Sequence, residues 1–93
     1  MRTFYASQFK KDVKRTENRL KNKKEFRAEL KKIITTLQAG KMPAGYVINK
    51  LVAKGSDWFD CYVRRDIVLI YRMHNNCLIL SRIGTFTELC IQH

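Results

Sequence analysis

Residues 60–88 read DCYVRRDIVLIYRMHNNCLILSRIGTFTE, and it is here that the apolar and β-branched residues of the chain concentrate. Ile67-Val68-Leu69-Ile70-Tyr71 is five consecutive apolar or aromatic residues, three of them β-branched. That run is long enough for a strand and too uniform to leave one face in water, so it is predicted to be central. Asp60-Cys61-Tyr62-Val63 before it and Cys77-Leu78-Ile79-Leu80-Ser81-Arg82-Ile83 after it read as neighbouring strands. The connections Arg64-Arg65-Asp66 and His74-Asn75-Asn76 carry the polar and αL-tolerant residues that tight hairpins use. The stretch is therefore an antiparallel meander, which needs a second layer to cover its apolar face.

The preceding residues supply that layer. Ser7 is placed to cap a helix in which Phe9, Val13 and Leu20 fall at helical spacing with Thr16 on the same stripe, while Lys10, Lys11, Lys14, Arg15 and Arg19 lie elsewhere on its surface. After a break near Lys21-Asn22, Asn22 is placed to cap a second helix carrying Phe26, Leu30, Ile33, Ile34 and Leu37, which Gly40 and Pro43 end. Arg2-Thr3-Phe4-Tyr5 reads as an edge strand joining the meander. Lys41 to Phe59 reads as a loop with at most a short strand around Tyr46-Val47-Ile48, and such loops often carry function. The expected fold class is α+β, a two-helix hairpin packed on a mainly antiparallel sheet of about four strands in the order β-α-α-β-β-β.

Ninety-three residues make one domain, 1–93, that buries roughly 60 to 65 % of its unfolded surface. Lys and Arg number 19 against 8 acids, a net charge of +11, which draws the chain towards polyanions or acidic proteins. Residues 10–32 hold 11 of those basic side chains and 4 of the acids, which is either a solvated outer face or a phosphate-contacting surface. Arg64, Arg65, Arg72 and Arg82 lie within or beside strands, where a guanidinium needs an acid, a phosphate or a partner. Cys61, Cys77 and Cys90 are odd in number and two fall in apolar runs, which suits reduced thiols in the cytoplasm. No C-x-x-C occurs and His74 and His93 sit in a turn and at the chain end, so no metal and no cofactor is expected. There is no signal peptide, no run of 18 apolar residues, no P-loop, no dinucleotide fingerprint and no nucleophile elbow.

Three local words carry a family resemblance. Met42-Pro43-Ala44-Gly45-Tyr46 resembles a proline-and-tyrosine loop. Asp60 to Tyr71 resembles a segment of the form acid, x, His, aliphatic, two residues, Asp, aliphatic run, Tyr. Arg82-Ile83-Gly84-Thr85-Phe86-Thr87-Glu88-Leu89 resembles an Arg-x-Gly-Thr/Ser-His-x-Glu-Leu ending. Together with the element order, these words make the chain similar to the YafQ-like branch of the RelE superfamily of bacterial toxins. The resemblance implies the toxin of a type II toxin–antitoxin pair, an mRNA interferase working on the ribosome. It also implies a partner, an acidic RelB/DinJ-like antitoxin whose segment covers the helical hairpin and the region of Arg64, Arg65 and Arg82. No membrane partner is implied.

The chain departs from that pattern on the chemistry. Asn49, Tyr62 and Phe86 stand where the branch carries histidines, Phe59 replaces an Arg and Cys90 a closing aromatic. Of the residues that usually matter, Asp66 and Arg82 remain. Asp66 is either the base or a local turn acceptor, and Arg82 either holds the scissile phosphate or pairs with Asp60 or Glu88. Tyr62, Arg64, Arg65 and Lys50 are the candidates to replace histidine, with Lys50, Arg65 and Lys54 contacting RNA. Tyr62 and Phe86 are either base-stacking platforms or core. The expected function is mRNA cleavage by a metal-independent endoribonuclease. The alternatives are a family member that only binds antitoxin, RNA or ribosome, and a general nucleic-acid-binding module.

Overall fold

The central strand, β4, spans Ile67–His74, and Ile67 through Tyr71 are all buried, as the unbroken apolar run requires. The computed structural model to which it belongs describes residues 1–55 and 57–89, so Cys90 and His93 lie outside the described residues. Trp58–Arg64 (β3) and Cys77–Gly84 (β5) flank β4 antiparallel. Asn75 and Asn76 close the second hairpin at φ 49° and 58°, the left-handed pair that a two-residue turn matched to strand twist demands.

Arg2–Tyr5 (β1) runs parallel to β5 at one edge, and Ile48–Lys50 (β2) pairs antiparallel with β3 at the other. The order is therefore β1-β5-β4-β3-β2, five strands rather than about four. β2 is three residues long, and its pairing with Phe59, Asp60 and Cys61 is a tertiary event that no local periodicity announces.

Ser7–Arg19 (α1) and Lys23–Gln38 (α2) cover one face of the sheet. Phe9, Phe26, Leu30, Ile33 and Leu37 pack there against Cys61, Val63, Ile67, Leu69, Tyr71, Leu78, Leu80 and Ile83. Asn22 caps α2 as expected, its Oδ1 accepting the Glu25 N–H at 3.0 Å. Ser7 does not cap α1. Ala6 takes the N-cap position because its own N–H continues the strand ladder to Leu80 O at 3.0 Å, so the chain passes from strand to helix without a polar cap. A single turn, Phe86–Leu89 (α3), follows β5. No helix among the described residues is long and apolar enough to cross a membrane.

Candidate catalytic face

Residues paired across antiparallel strands share a face. Asn49 pairs with Asp60, Asp60 with Ile70, and Ile70 with Arg82, forming one row across β2, β3, β4 and β5 on the face away from the helices. In the next row Tyr62 pairs with Val68 and Val68 with Gly84. Two bulges decide which arginine joins this face. Leu78 and Leu80 point into the core, and strict alternation would send Arg82 after them. The register shift around Ser81 turns Arg82 to the side of Ile70 and drops Ile83 into the core instead.

The bulge between Tyr62 and Arg64 has the opposite effect on Arg64, which pairs with Ile67 and lays its guanidinium over the Phe26 ring of α2, 5.9 Å from the centroid. Arg64, a candidate to replace histidine, and Arg82, the candidate to hold the phosphate, are thereby sent to different faces.

Asp12 of α1 is fully buried and anchors Arg82. Its Oδ2 accepts from Arg82 Nε at 2.7 Å and from the Ile83 N–H at 3.1 Å, and its Oδ1 from Arg82 Nη2 at 3.3 Å. Arg82 is thus paired with Asp12, an acid other than the Asp60 or Glu88 offered as the alternative to a phosphate. Beyond Leu80, where β1 stops pairing, this carboxylate takes over the edge of β5. Burial pushes the Asp12 carboxyl up, but hydrogen bonds from Arg82, Gln8 and Ile83 and the Arg82 charge outweigh it and hold the group below its ordinary value.

Arg15 extends the chain of charges, with Nη2 2.9 Å from Asp12 and Nε 2.7 Å from Glu88, and Arg19 bonds Glu88 as well. Glu88 also accepts the Thr85 N–H at 2.9 Å while Thr85 Oγ1 accepts the Glu88 N–H at 3.3 Å, a reciprocal cap that gives the single-turn α3 its start. Gly84 is needed beneath this network, because a Cβ there would sit 3.0 Å from Glu88 Oε1 and 3.1 Å from Arg15 Nη2.

Tyr62 and Phe86 are half-buried and meet edge to face with ring centroids 5.4 Å apart. Burial first, and the Asp60 charge second, raise the Tyr62 phenol above its ordinary value, so the group holds its proton at neutral pH. Asn49 Nδ2 donates to the fully buried Asp60 at 3.2 Å. Asp66 is exposed in the β3–β4 turn and lines a cleft of about 150 Å³ with Arg19, Gly84, Thr85 and Glu88.

The remaining candidates lie apart. Lys50 alternates with Asn49 and falls in the row of Phe59 and Tyr71, on the helix side. Lys54 lies over the Trp58 ring at 5.2 Å, and Arg65 is exposed beside Asp66. His74, 2.7 Å from Asp57, ends β4, seven residues and roughly 23 Å of strand from the Asp66 end. Cys61 is no nucleophile, because burial pushes its thiol up to about 11. Among the described residues no group of His, Cys, Asp or Glu could hold a metal ion.

Sequence reading missed Asp12 and Arg15. The signal was present, since Asp12 lies three residues after Phe9 and four before Thr16, on the buried stripe, where an acid requires a cation.

The family model described as "Bacterial toxin of type II toxin-antitoxin system, YafQ" matches residues 1–91. The chain belongs to the YafQ toxin family. It is 29 % identical over 85 residues to the mRNA interferase toxin YafQ of Escherichia coli strain B/BL21-DE3, spanning 91 % of this chain and 90 % of that protein. Its fold superposes on the toxin in the E. coli DinJ–YafQ complex with a TM-score of 0.81 at 32 % identity, covering 96 % of this chain and 98 % of that one. A metal-bound toxin from Helicobacter pylori superposes with a TM-score of 0.82 at 25 % identity over 96 % and 98 % of the two chains. In this YafQ-family chain the Arg-x-Gly-Thr word is physical: Arg82 joins the row of Asp60 and Ile70, Gly84 makes room for the charge network, and Thr85 caps the turn that brings Phe86 onto Tyr62.

Proposed function

We propose that this toxin is an mRNA interferase acting in the cytoplasm on ribosome-bound message, silenced by an acidic antitoxin as E. coli YafQ is partnered by DinJ. The observation that carries the reading is the pairing row that sets Arg82 beside Ile70, one row from Tyr62, on the sheet face opposite the helices.

Cleavage by the ribose 2′-oxygen forms a 2′-O–P bond and breaks the P–O5′ bond, leaving a 2′,3′-cyclic phosphate and a 5′-hydroxyl. Asp66 takes the proton of the 2′-hydroxyl. Tyr62, one row from Arg82 on the same face, gives a proton to the leaving 5′-oxygen. Arg82 neutralises charge added on the phosphorane, and the exposed Arg65, Lys50 and Lys54 bind the flanking backbone.

A second reading, binding without cutting, has its own support. The residues at the three histidine positions are engaged in packing and hydrogen bonding, Phe86 with Tyr62 and Asn49 with Asp60.

The two separate when the purified chain is added to translating ribosomes with and without its antitoxin. Message cut by the wild type, spared by Arg82→Ala and spared when antitoxin is present supports the nuclease. Message left intact by a wild type that still binds ribosomes leaves only the binding role.

A further inference from the structure

We propose that Asp12 is the positioning residue for Arg82, a carboxylate on α1 that fixes the phosphate-holding guanidinium; the inference rests on the cleavage reading above. Asp12 sits on the buried stripe of α1, where an apolar residue would serve packing better and a carboxylate is costly unless fully bonded.

Its bonds are directed at one strand. Oδ2 receives both Arg82 Nε at 2.7 Å and the N–H of the next residue, Ile83, at 3.1 Å. The same oxygen therefore registers the side chain against its own backbone. Oδ1 accepts from Arg82 Nη2 at 3.3 Å, closing with Oδ2 a two-point grip on the guanidinium; Gln8 Nε2 donates to the same Oδ1 at 3.2 Å and Arg15 Nη2 stands 2.9 Å from it as an ion pair. Capping the β5 edge alone would need only the Ile83 bond. Arg82 stays one-third exposed, so a phosphate reaches a guanidinium whose direction is already set.

An arginine left to rotate would be ordered only as charge builds on the phosphorane, and that ordering would appear in the barrier rather than in substrate affinity. Asp12→Asn keeps an oxygen for the Ile83 N–H but places an amide against Arg82. We expect kcat to fall about 10²-fold with KM little changed, as for a group misplaced by an ångström. In an Arg82→Lys background, which keeps the cation but not the paired grip, the same substitution should cost little more, whereas a merely structural Asp12 would impair both backgrounds alike.

A second readout needs neither RNA nor a variant. The ¹⁵Nε–H signal of Arg82 in the free wild-type chain should be rigid by its heteronuclear NOE and slow to exchange with water, unlike that of exposed Arg65. A mobile Arg82 signal, or equal losses from Asp12→Asn in the wild-type and Arg82→Lys backgrounds, overturns the proposal. A rigid signal in a chain that cuts nothing would sink the cleavage reading while leaving the Asp12 anchor in place.

Discussion

Tyr62 and Phe86 meet edge to face, 5.4 Å between ring centroids, at two of the positions where the YafQ-like pattern carries histidine. If the site has simply lost histidines, the Tyr62→His, Phe86→His double variant should cleave faster, by about the 10²- to 10⁴-fold that one proton-transfer group supplies. If Tyr62 is the working acid, the double variant should be no faster than wild type. Single-turnover rates on ribosome-bound message decide between them.

Glu88 ties α1 to α3, and its carboxyl is held at about 2, below its ordinary 4.5, chiefly by the hydrogen bond from Arg19 and then by the Thr85 N–H. A depressed carboxyl stabilises the fold fully above its unfolded value, and that contribution is lost as pH falls through the folded value. Glu88→Gln keeps a side chain able to complete the cap but removes the charge. Its melting temperature should fall below wild type at pH 7, and the gap should narrow between pH 4.5 and about 2. An unchanged gap across that window would mean that Glu88 is not held by its arginines.

RNA binding by a chain of net charge +11 should be dominated by counterion release. The slope of log K against log salt for single-stranded RNA is then about −0.7 for each phosphate engaged. Arg65→Ala should weaken binding and make the slope shallower by about that amount, while Arg64→Ala, packed on Phe26, should chiefly lower stability. Fluorescence anisotropy across a salt series measures the first effect and thermal melting the second.

Much of this was legible in the chain. Ile67–Tyr71 announced a central strand because an unbroken apolar run has no solvated face, and Asn75-Asn76 announced its turn because asparagine tolerates positive φ. What escaped reading depended on tertiary partners. The bulges that separate Arg64 from Arg82 are invisible to an alternation rule, although Leu78, Leu80 and Ile83 already break the period of two. Asp12 drew no reading of its own, although its place between Phe9 and Thr16 marked it as part of the buried stripe. Thr85-Phe86-Thr87-Glu88 is a capping box in plain sequence, and recognising it would have assigned Glu88 to α3 rather than to Arg82.

The cleavage proposed for Asp66, Tyr62 and Arg82 by 2′-oxygen attack leaves its signature on both new RNA ends. The most direct measurement is the end chemistry of message recovered from translating ribosomes after addition of wild type, Asp66→Ala or Arg82→Ala. Wild type should give fragments ending in a 2′,3′-cyclic phosphate and beginning with a 5′-hydroxyl, and both variants should fail to give them while each remains folded. Intact message in all three, or fragments bearing 5′-phosphates, would contradict it.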